Sequence, residues 1–236
     1  MENKHESVLL SEAVEALEVS PSDVVVDATI GGAGHFASLL GKLDTSGTLI
    51  GIDADADAIE RAKEAGRGAR AKVVLVHDNF RNLETILETA KVETIDKALF
   101  DLGWSSFHLT AGRGFSFRAE EPLHMTYGSP GEGTTAADMV NDLSETSLAD
   151  LIYTLGEEHF SRGIARSIVA ARSVEPILTT GQLVAAIEAG VPGWYKKRRI
   201  HAATKTFQAL RIAVNDELGA LREGLAAAIA KLSDGG

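Results

Sequence analysis

An acid that closes an apolar segment about 20 residues after a glycine-rich turn is placed to bind the ribose of a nucleoside ligand. In this chain the turn is Gly31-Gly32-Ala33-Gly34, and the acid is Asp53, directly after the apolar segment 48–52. Glycines in the turn let a ligand approach backbone N–H groups closely. The spacing therefore predicts a β-α-β unit with a nucleoside-sized ligand at its mouth.

The turn alone does not decide which nucleoside binds. Residues 32–37 fit the G-x-G-x-x-A form of the dinucleotide fingerprint, which favours NAD. The same residues suit a loop that passes beside the amino-acid part of S-adenosylmethionine. A third interpretation is that the glycines serve only tight packing between helix and strand.

Apolar periodicity predicts the elements that position this turn. Val24-Val25-Val26 reads as a strand buried on both faces, and further strands follow at 48–52, 72–76 and 95–100, alternating with helices. This alternation predicts an α/β class. From about residue 110 the pattern becomes helical, with helices expected at 135–143, 147–155, 157–172 and 179–189. Residues 201–232 read as two helices broken near 215–219. We expect an α/β domain from 1–109 and 201–236, interrupted by a helical subdomain at 110–200.

Composition excludes several function classes. The chain has 236 residues, is 44% hydrophobic and contains no cysteine, so thiolate chemistry and cysteine zinc sites are ruled out. No apolar run is long enough to cross a membrane, and a cytoplasmic location is expected. His35 and His108 each stand alone in a loop without a carboxylate at ligand spacing, so no metal site is expected.

The charge is unevenly distributed along the chain. The net charge is −11, yet residues 160–214 hold nine Lys or Arg against two acids, a local charge of +7. Such a segment suits a face that binds a polyanion, and an ordinary solvated surface explains it equally well. Its densest part is the run Lys196-Lys197-Arg198-Arg199.

Several characteristic sequence blocks follow one another over nearly the whole chain. They include Asp27-x-Thr29-x-Gly31-x-x-Gly34-His35, Asp101-Leu102-Gly103-x-Ser105-Ser106, Arg113-Gly114-Phe115-Ser116-Phe117, Gly156-Glu157-Glu158 and His201-x-Ala203-Thr204-x-Thr206-Phe207-Gln208. In type and order these blocks resemble those of the RsmH (MraW) methyltransferases. The resemblance implies a Rossmann-like domain that uses S-adenosylmethionine to methylate N4 of a cytosine in 16S ribosomal RNA of the small subunit.

The resemblance also implies roles for individual residues. The cofactor positions fall on the turn, on Asp53 at the ribose, on Phe80 beside the adenine, on Asp101 and on His108; those in the turn are Gly31, Ala33, Gly34 and His35. Asp101 is the catalytic candidate, because an acceptor there can hold the cytosine amine. Trp104 or Phe107 is a candidate for stacking on the base. The remaining substrate candidates are cationic: Arg113, Lys196, Lys197, Arg198, Arg199 and Lys205.

Because the chain departs from the family at several positions, two alternative functions remain open. The family usually has Gly in place of Ala33 and Gln in place of His108, and it continues into further C-terminal strands. A non-catalytic RNA- or nucleoside-binding relative is therefore one alternative, and an NAD-linked oxidoreductase is the other. With strands in the order 3-2-1-4, the fourth strand would have an open edge, and we expect marginal stability or a homodimer paired through that edge.

Overall fold

The computed structural model describes residues 8–103, 107, 109, 111–128 and 133–236 of the chain. These residues form two compact units. The sheet unit comprises Met1–Phe107 and Leu218–Gly236, and the helical unit comprises His108–Glu217. No helix in the part of the chain described here has the length and apolar character needed to span a membrane.

The sheet unit has the predicted alternation of strands and helices. Helix α1 precedes a four-stranded parallel sheet of order β3-β2-β1-β4, so the α/β class and the strand order are confirmed. The elements are α1 (Leu10–Ala16), β1 (Val24–Asp27), α2 (Gly34–Leu40), β2 (Thr48–Asp53), α3 (Ala56–Ala65), β3 (Lys72–His77), a 3₁₀ turn (Phe80–Asn82), α4 (Leu83–Ala90), β4 (Lys97–Leu99) and, after the helical unit, α10 (Glu217–Lys231).

Both faces of the central strands are buried, as their unbroken apolar runs predict. One face carries Val25 and Leu49 against α2 and α3. The other carries Val26 and Ile50 against α4 and the end of α10. Gly51 lets the ring of Phe36 reach the sheet, because a Cβ at that position would lie only 2.7 Å from the ring.

The segment that follows α10 pairs with the chain just before β4, on the outer side of the sheet. Ile95 donates its N–H to Lys231 O (2.9 Å) and accepts from Ser233 N (2.9 Å), forming a parallel bridge between Ile95 and Leu232. Within the described residues, no strand pairs with the outer edge of Lys97–Leu99. The segment after α10 therefore pairs with Ile95, two residues before β4, and edge-to-edge dimerisation stays a prediction.

The helical unit packs its own core from α5 (Ala136–Asp142), α6 (Glu145–Gly156), α7 (Ser161–Arg172), α8 (Thr180–Ala189), a 3₁₀ turn (Tyr195–Lys197) and α9 (Thr204–Val214). Helices α7 and α8 cross at two glycines, since a Cβ on Gly163 would lie 2.5 Å from the carbonyl of Gly190. Capping boxes at Thr135 and Thr179 begin α5 and α8.

The second boundary between the units differs from the predicted one. Residues 201–217 were expected in the α/β domain, but they belong to the helical unit. The reason is packing: Phe207 and Leu210 on α9 are buried in the core of the helical unit. The predicted break in the 201–232 region occurs at Asn215 and Asp216, where Asp216 takes a φ of 43°.

Candidate active site at the carboxyl edge of the sheet

Three aspartates follow neighbouring strands at the carboxyl edge of the sheet. Asp27 ends β1, Asp53 ends β2, and Asp101 comes two residues after β4. The parallel register pairs Asp27 with Gly51 on one side and Leu99 on the other. In open α/β sheets this edge is where ligands bind. The edge is therefore acidic at the expected ligand position.

Asp27 is the most unusual of the three. Its side chain is fully buried; Oδ1 accepts a hydrogen bond from Thr29 N (3.2 Å), and Oδ2 has no partner among the described residues. Burial raises the pKa of Asp27 to about 7, with smaller contributions from the charges of Asp53 and Asp101. A buried acceptor without a partner costs free energy, so Oδ2 is suited to a donor supplied by a ligand.

The glycine-rich turn takes two left-handed residues. Gly31 has a φ of 50° and Ala33 a φ of 63°, and Ala33 precedes α2 without a side-chain cap. Gly31 adopts this conformation without a steric penalty, whereas the Cβ of Ala33 makes it strained. The chain thus holds Ala33 in a left-handed conformation at a cost in local strain.

The carboxylate of Asp53 holds this turn. Gly31 N donates to Asp53 Oδ2 (2.8 Å), and Asp55 N donates to Asp53 Oδ1 (2.8 Å). Arg61 binds the same turn from α3, with its Nε donating to Gly31 O (2.9 Å) and its Nη2 lying 3.5 Å from Asp55 Oδ2. Its guanidinium also lies 4.2 Å from the centre of the Phe107 ring. These contacts therefore fix Asp53, the residue predicted to bind the ribose, at the turn.

His35 and Asp101 lie close to each other. His35 Nδ1 is 3.6 Å from Asp101 Oδ2, and His35 Nε2 is buried without a partner among the described residues. Asp101 N donates to Thr29 Oγ1 (2.7 Å), which anchors its backbone, while 47% of its side chain is exposed. Asp101 therefore combines a fixed backbone with a carboxylate that a ligand can reach.

Phe80 is held by apolar packing. Its ring meets Phe100 edge to face with centroids 5.5 Å apart, and a Cβ on Gly224 of α10 would lie 2.7 Å from it. The structure thus gives Phe80 a packing role, and its place beside an adenine stays a prediction. Trp104 and His108 lie outside the described residues.

The predicted cationic residues of the helical unit divide into two groups. Arg113 Nη1 donates to Tyr127 O (3.0 Å), and Lys205 Nζ donates to Glu157 O (2.6 Å), so both bind the unit's own backbone. The other four form the basic tract: Lys196, Lys197, Arg198 and Arg199. All four are exposed.

Sequence reasoning gave no site role to Asp27, Thr29 or Arg61. The sequence could have predicted a site role for Asp27, because a carboxylate directly after three valines must lie at the end of a buried strand. Arg61 gave no such signal, since a single arginine on an amphipathic helix looks like solvated surface. No cluster of three potential metal-binding side chains occurs within the ranges that the structure describes.

Comparison with known proteins places this geometry in a family. Residues 2–236 match the model of the MraW methylase family. "Ribosomal RNA small subunit methyltransferase H" of Deinococcus radiodurans is 51% identical over 233 residues, covering 98% of this chain and 72% of that protein. The protein of the same name from Syntrophotalea carbinolica is 44% identical, covering 99% and 74%.

Solved structures give a weaker comparison. An rRNA methylase from Streptococcus thermophilus overlaps 46% of this chain and 60% of its own at 24% identity, with a TM-score of 0.34, too low to support an argument. The family match extends over both units of the chain, including the acidic sheet edge and the basic tract. The chain belongs to the MraW methylase family.

Proposed function

We propose that this chain transfers a methyl group from S-adenosylmethionine to the N4 amine of a cytosine in 16S ribosomal RNA. The relatives' name supports the class of substrate. The observation that carries the proposal is the acidic edge, where Asp27, between Asp53 and Asp101, has a buried oxygen with no partner in the described part of the chain. An rRNA substrate also implies a cytoplasmic enzyme.

The charge of this edge separates the proposed cofactor from NAD. S-adenosylmethionine carries a sulfonium and an ammonium group, and both are favoured beside carboxylates. NAD would bring a pyrophosphate with two negative charges to the same edge, where like charges repel. Arg61 is the cation at the turn, but it already pairs with Asp55. The donors and acceptors present therefore suit the sulfonium cofactor.

Described residues offer partners for the ribose and the ammonium group of this cofactor. Asp53 lies at the turn, where a carboxylate accepts hydrogen bonds from ribose hydroxyls. Asp27 Oδ2 offers a buried acceptor for the ammonium group, and the backbone of Gly31 and Ala33 lines the approach. When bound, the cofactor supplies an electrophilic methyl group.

Asp101 is suited to hold the reacting amine. The lone pair of a cytosine amine is delocalised into the ring, so catalysis depends on orienting the nitrogen toward the methyl group. The Asp101 carboxylate can accept one amine N–H, and the carbonyls of Leu102 and Gly103 follow it directly on the chain. Thr29 fixes the Asp101 backbone through the bond from Asp101 N to Thr29 Oγ1 (2.7 Å).

The basic tract is the proposed RNA contact. Its four exposed cations neutralise phosphates, and their binding releases counterions, which makes affinity depend on salt. We expect that replacing all four by Ala lowers affinity for small-subunit RNA and flattens its salt dependence by up to about one slope unit per lost phosphate contact.

The test is transfer of tritium from methyl-labelled S-adenosylmethionine to small ribosomal subunits, with cofactor binding measured in parallel. We expect the wild-type chain to label the RNA and the tract variant to bind cofactor normally but label poorly. A matched control replaces Lys63 and Arg67, exposed cations on and just after α3 of the sheet unit, and should change neither property. Cofactor binding without labelling would instead favour the non-catalytic relative.

A further inference from the structure

Trp194 is an exposed aromatic side chain directly before the basic tract. Its exposed fraction is 62%, although it contacts Phe160 and Tyr195 with ring centroids 5.8 Å and 5.7 Å away. Both contacts are edge-to-face, at interplanar angles of 70° and 80°. Most of the Trp194 surface is therefore accessible to a ligand, while its contacts with the two neighbouring rings restrict its position.

A buried hydrogen bond fixes the backbone that carries Trp194. Tyr195 Oη donates to Glu158 Oε2 (2.5 Å), and Phe160 N donates to Glu158 Oε1 (2.8 Å). Glu158 is fully buried, so both of its oxygens are satisfied where water cannot reach them. Tyr195 N also donates to Pro192 O (2.9 Å), and Lys197 N donates to Trp194 O (3.2 Å). Trp194 is therefore held at a rigid turn.

The charge around Trp194 is unbalanced. Among the described residues, no carboxylate lies within ion-pairing distance of Lys196, Lys197 or Arg199. Arg198 lies 5.0 Å from the centre of the Tyr195 ring, which binds its guanidinium through a cation–π contact. Glu188, the nearest acid before the tract, contacts His201 instead (3.7 Å). The basic tract is thus a cationic surface with the exposed ring of Trp194 next to it.

We propose that Trp194 stacks on an unpaired base of the RNA substrate while the basic tract binds the neighbouring phosphates. This inference rests on the proposed RNA-modifying function. Proteins bind single-stranded nucleic acid through exposed aromatic rings beside cationic side chains, because every unpaired base has a face on which a ring can stack. Paired bases in an A-form duplex do not present such faces to a side chain. Single-stranded RNA is therefore the expected occupant, and Tyr195 and Glu158 act as positioning residues.

The test measures binding of the full chain to a labelled oligouridine and to an RNA duplex of equal length by fluorescence anisotropy over a salt series. We expect Trp194→Ala to weaken oligouridine binding by about 5- to 100-fold, with an unchanged salt slope and little effect on the duplex. Trp194→Phe should restore most of the affinity, because a phenyl ring still stacks. Tyr153→Ala is the matched control, since Tyr153 is 58% exposed in the same unit and lies outside the tract.

Each result bears on the proposal in one direction. Wild-type oligouridine affinity in a folded Trp194→Ala variant overturns it, even if the chain still methylates ribosomal subunits. Loss of subunit binding without loss of oligouridine binding also overturns it, because Trp194 would then contact the subunit by some means other than stacking on an unpaired base. If the wild-type chain binds no RNA and labels no subunit, the proposed function fails together with this inference. An equal loss in Tyr153→Ala would show that the effect is not specific to Trp194.

Discussion

Among the described residues, each unit contains an acid with no exposed surface, Glu158 in the helical unit and Asp27 in the sheet unit, and the two differ in their hydrogen bonding. In the helical unit, both oxygens of Glu158 accept hydrogen bonds, from Phe160 N and from Tyr195 Oη. In the sheet unit, Asp27 accepts one from Thr29 N and leaves Oδ2 without a partner among the described residues. A satisfied buried carboxylate stabilises a fold, while a half-satisfied one lowers stability until a ligand completes it. The difference predicts a structural role for Glu158 and a ligand-binding role for Asp27.

The largest effect should come from removing the satisfied carboxylate. Glu158→Ala leaves two buried donors without an acceptor and opens a cavity, so the free energy of unfolding should fall by about 3–5 kcal/mol. Urea denaturation followed by circular dichroism measures it. Glu158→Gln, which keeps one carbonyl acceptor, should cost less than half as much. Equal stability of Glu158→Ala and the wild type would show that the Glu158 carboxylate does not stabilise the fold, so it would no longer differ from Asp27 in that respect.

Asp53→Ala tests whether the acidic edge binds the cofactor. Loss of a hydrogen bond to a charged acceptor costs ~1.5–3 kcal/mol, so S-adenosylmethionine should bind about ten- to a hundredfold more weakly. Isothermal titration calorimetry gives the affinity. The matched control is Asp57→Ala, an exposed acid in the first turn of α3, which should bind normally. Unchanged affinity in a folded Asp53→Ala variant would remove Asp53 from the site.

Asp27→Asn sharpens the comparison through pH. The pKa of Asp27 is raised from 3.8 to about 7, so between these values the folded chain keeps a proton that the unfolded chain has lost. Stability from this group is therefore complete below about pH 4 and is lost as the pH rises to 7. Between pH 5 and pH 8, the free energy of unfolding of the variant should therefore rise by about 3 kcal/mol relative to that of the wild type.

The measurement is urea denaturation of the cofactor-free protein at both pH values. The helical unit supplies an internal contrast, because burial raises the pKa of Tyr195 to about 12 and its hydroxyl therefore keeps its proton from pH 5 to pH 8. A stability difference between variant and wild type that stays constant from pH 5 to pH 8 would contradict the raised pKa of Asp27.

The smallest effect should appear at the turn. Ala33 has a φ of 63°, which is strained for a residue with a Cβ. Ala33→Gly should therefore raise the free energy of unfolding by about 0.5–1 kcal/mol. Ala37→Gly, an exposed position inside α2, should instead lower it by a similar amount. Thermal unfolding of both variants measures the difference. If both substitutions destabilise, the turn is not strained at Ala33.

Much of the sheet unit followed from local patterns. The valine run, the glycine turn and the acid at the end of β2 lie within 30 residues of one another, so their spacing alone predicted a β-α-β unit. The prediction worked because buried parallel strands need unbroken apolar runs and the turn needs residues that tolerate positive φ. The boundary expected at residue 200 differs from the unit boundary after Glu217, because α9 packs against α6 of the helical unit and sequence periodicity does not show which partner a helix has.

By itself, the sequence determined the α/β class, the strand order, the position of Asp53 and the cationic character of the basic tract. The tertiary structure decided which charged groups have partners. It buried Asp27 beside two other aspartates, directed Arg113 and Lys205 onto backbone carbonyls, and left Trp194 exposed on a turn fixed by Glu158. The physical reason is that periodicity records which residues are apolar, whereas desolvation and hydrogen-bond satisfaction depend on neighbours distant in the chain.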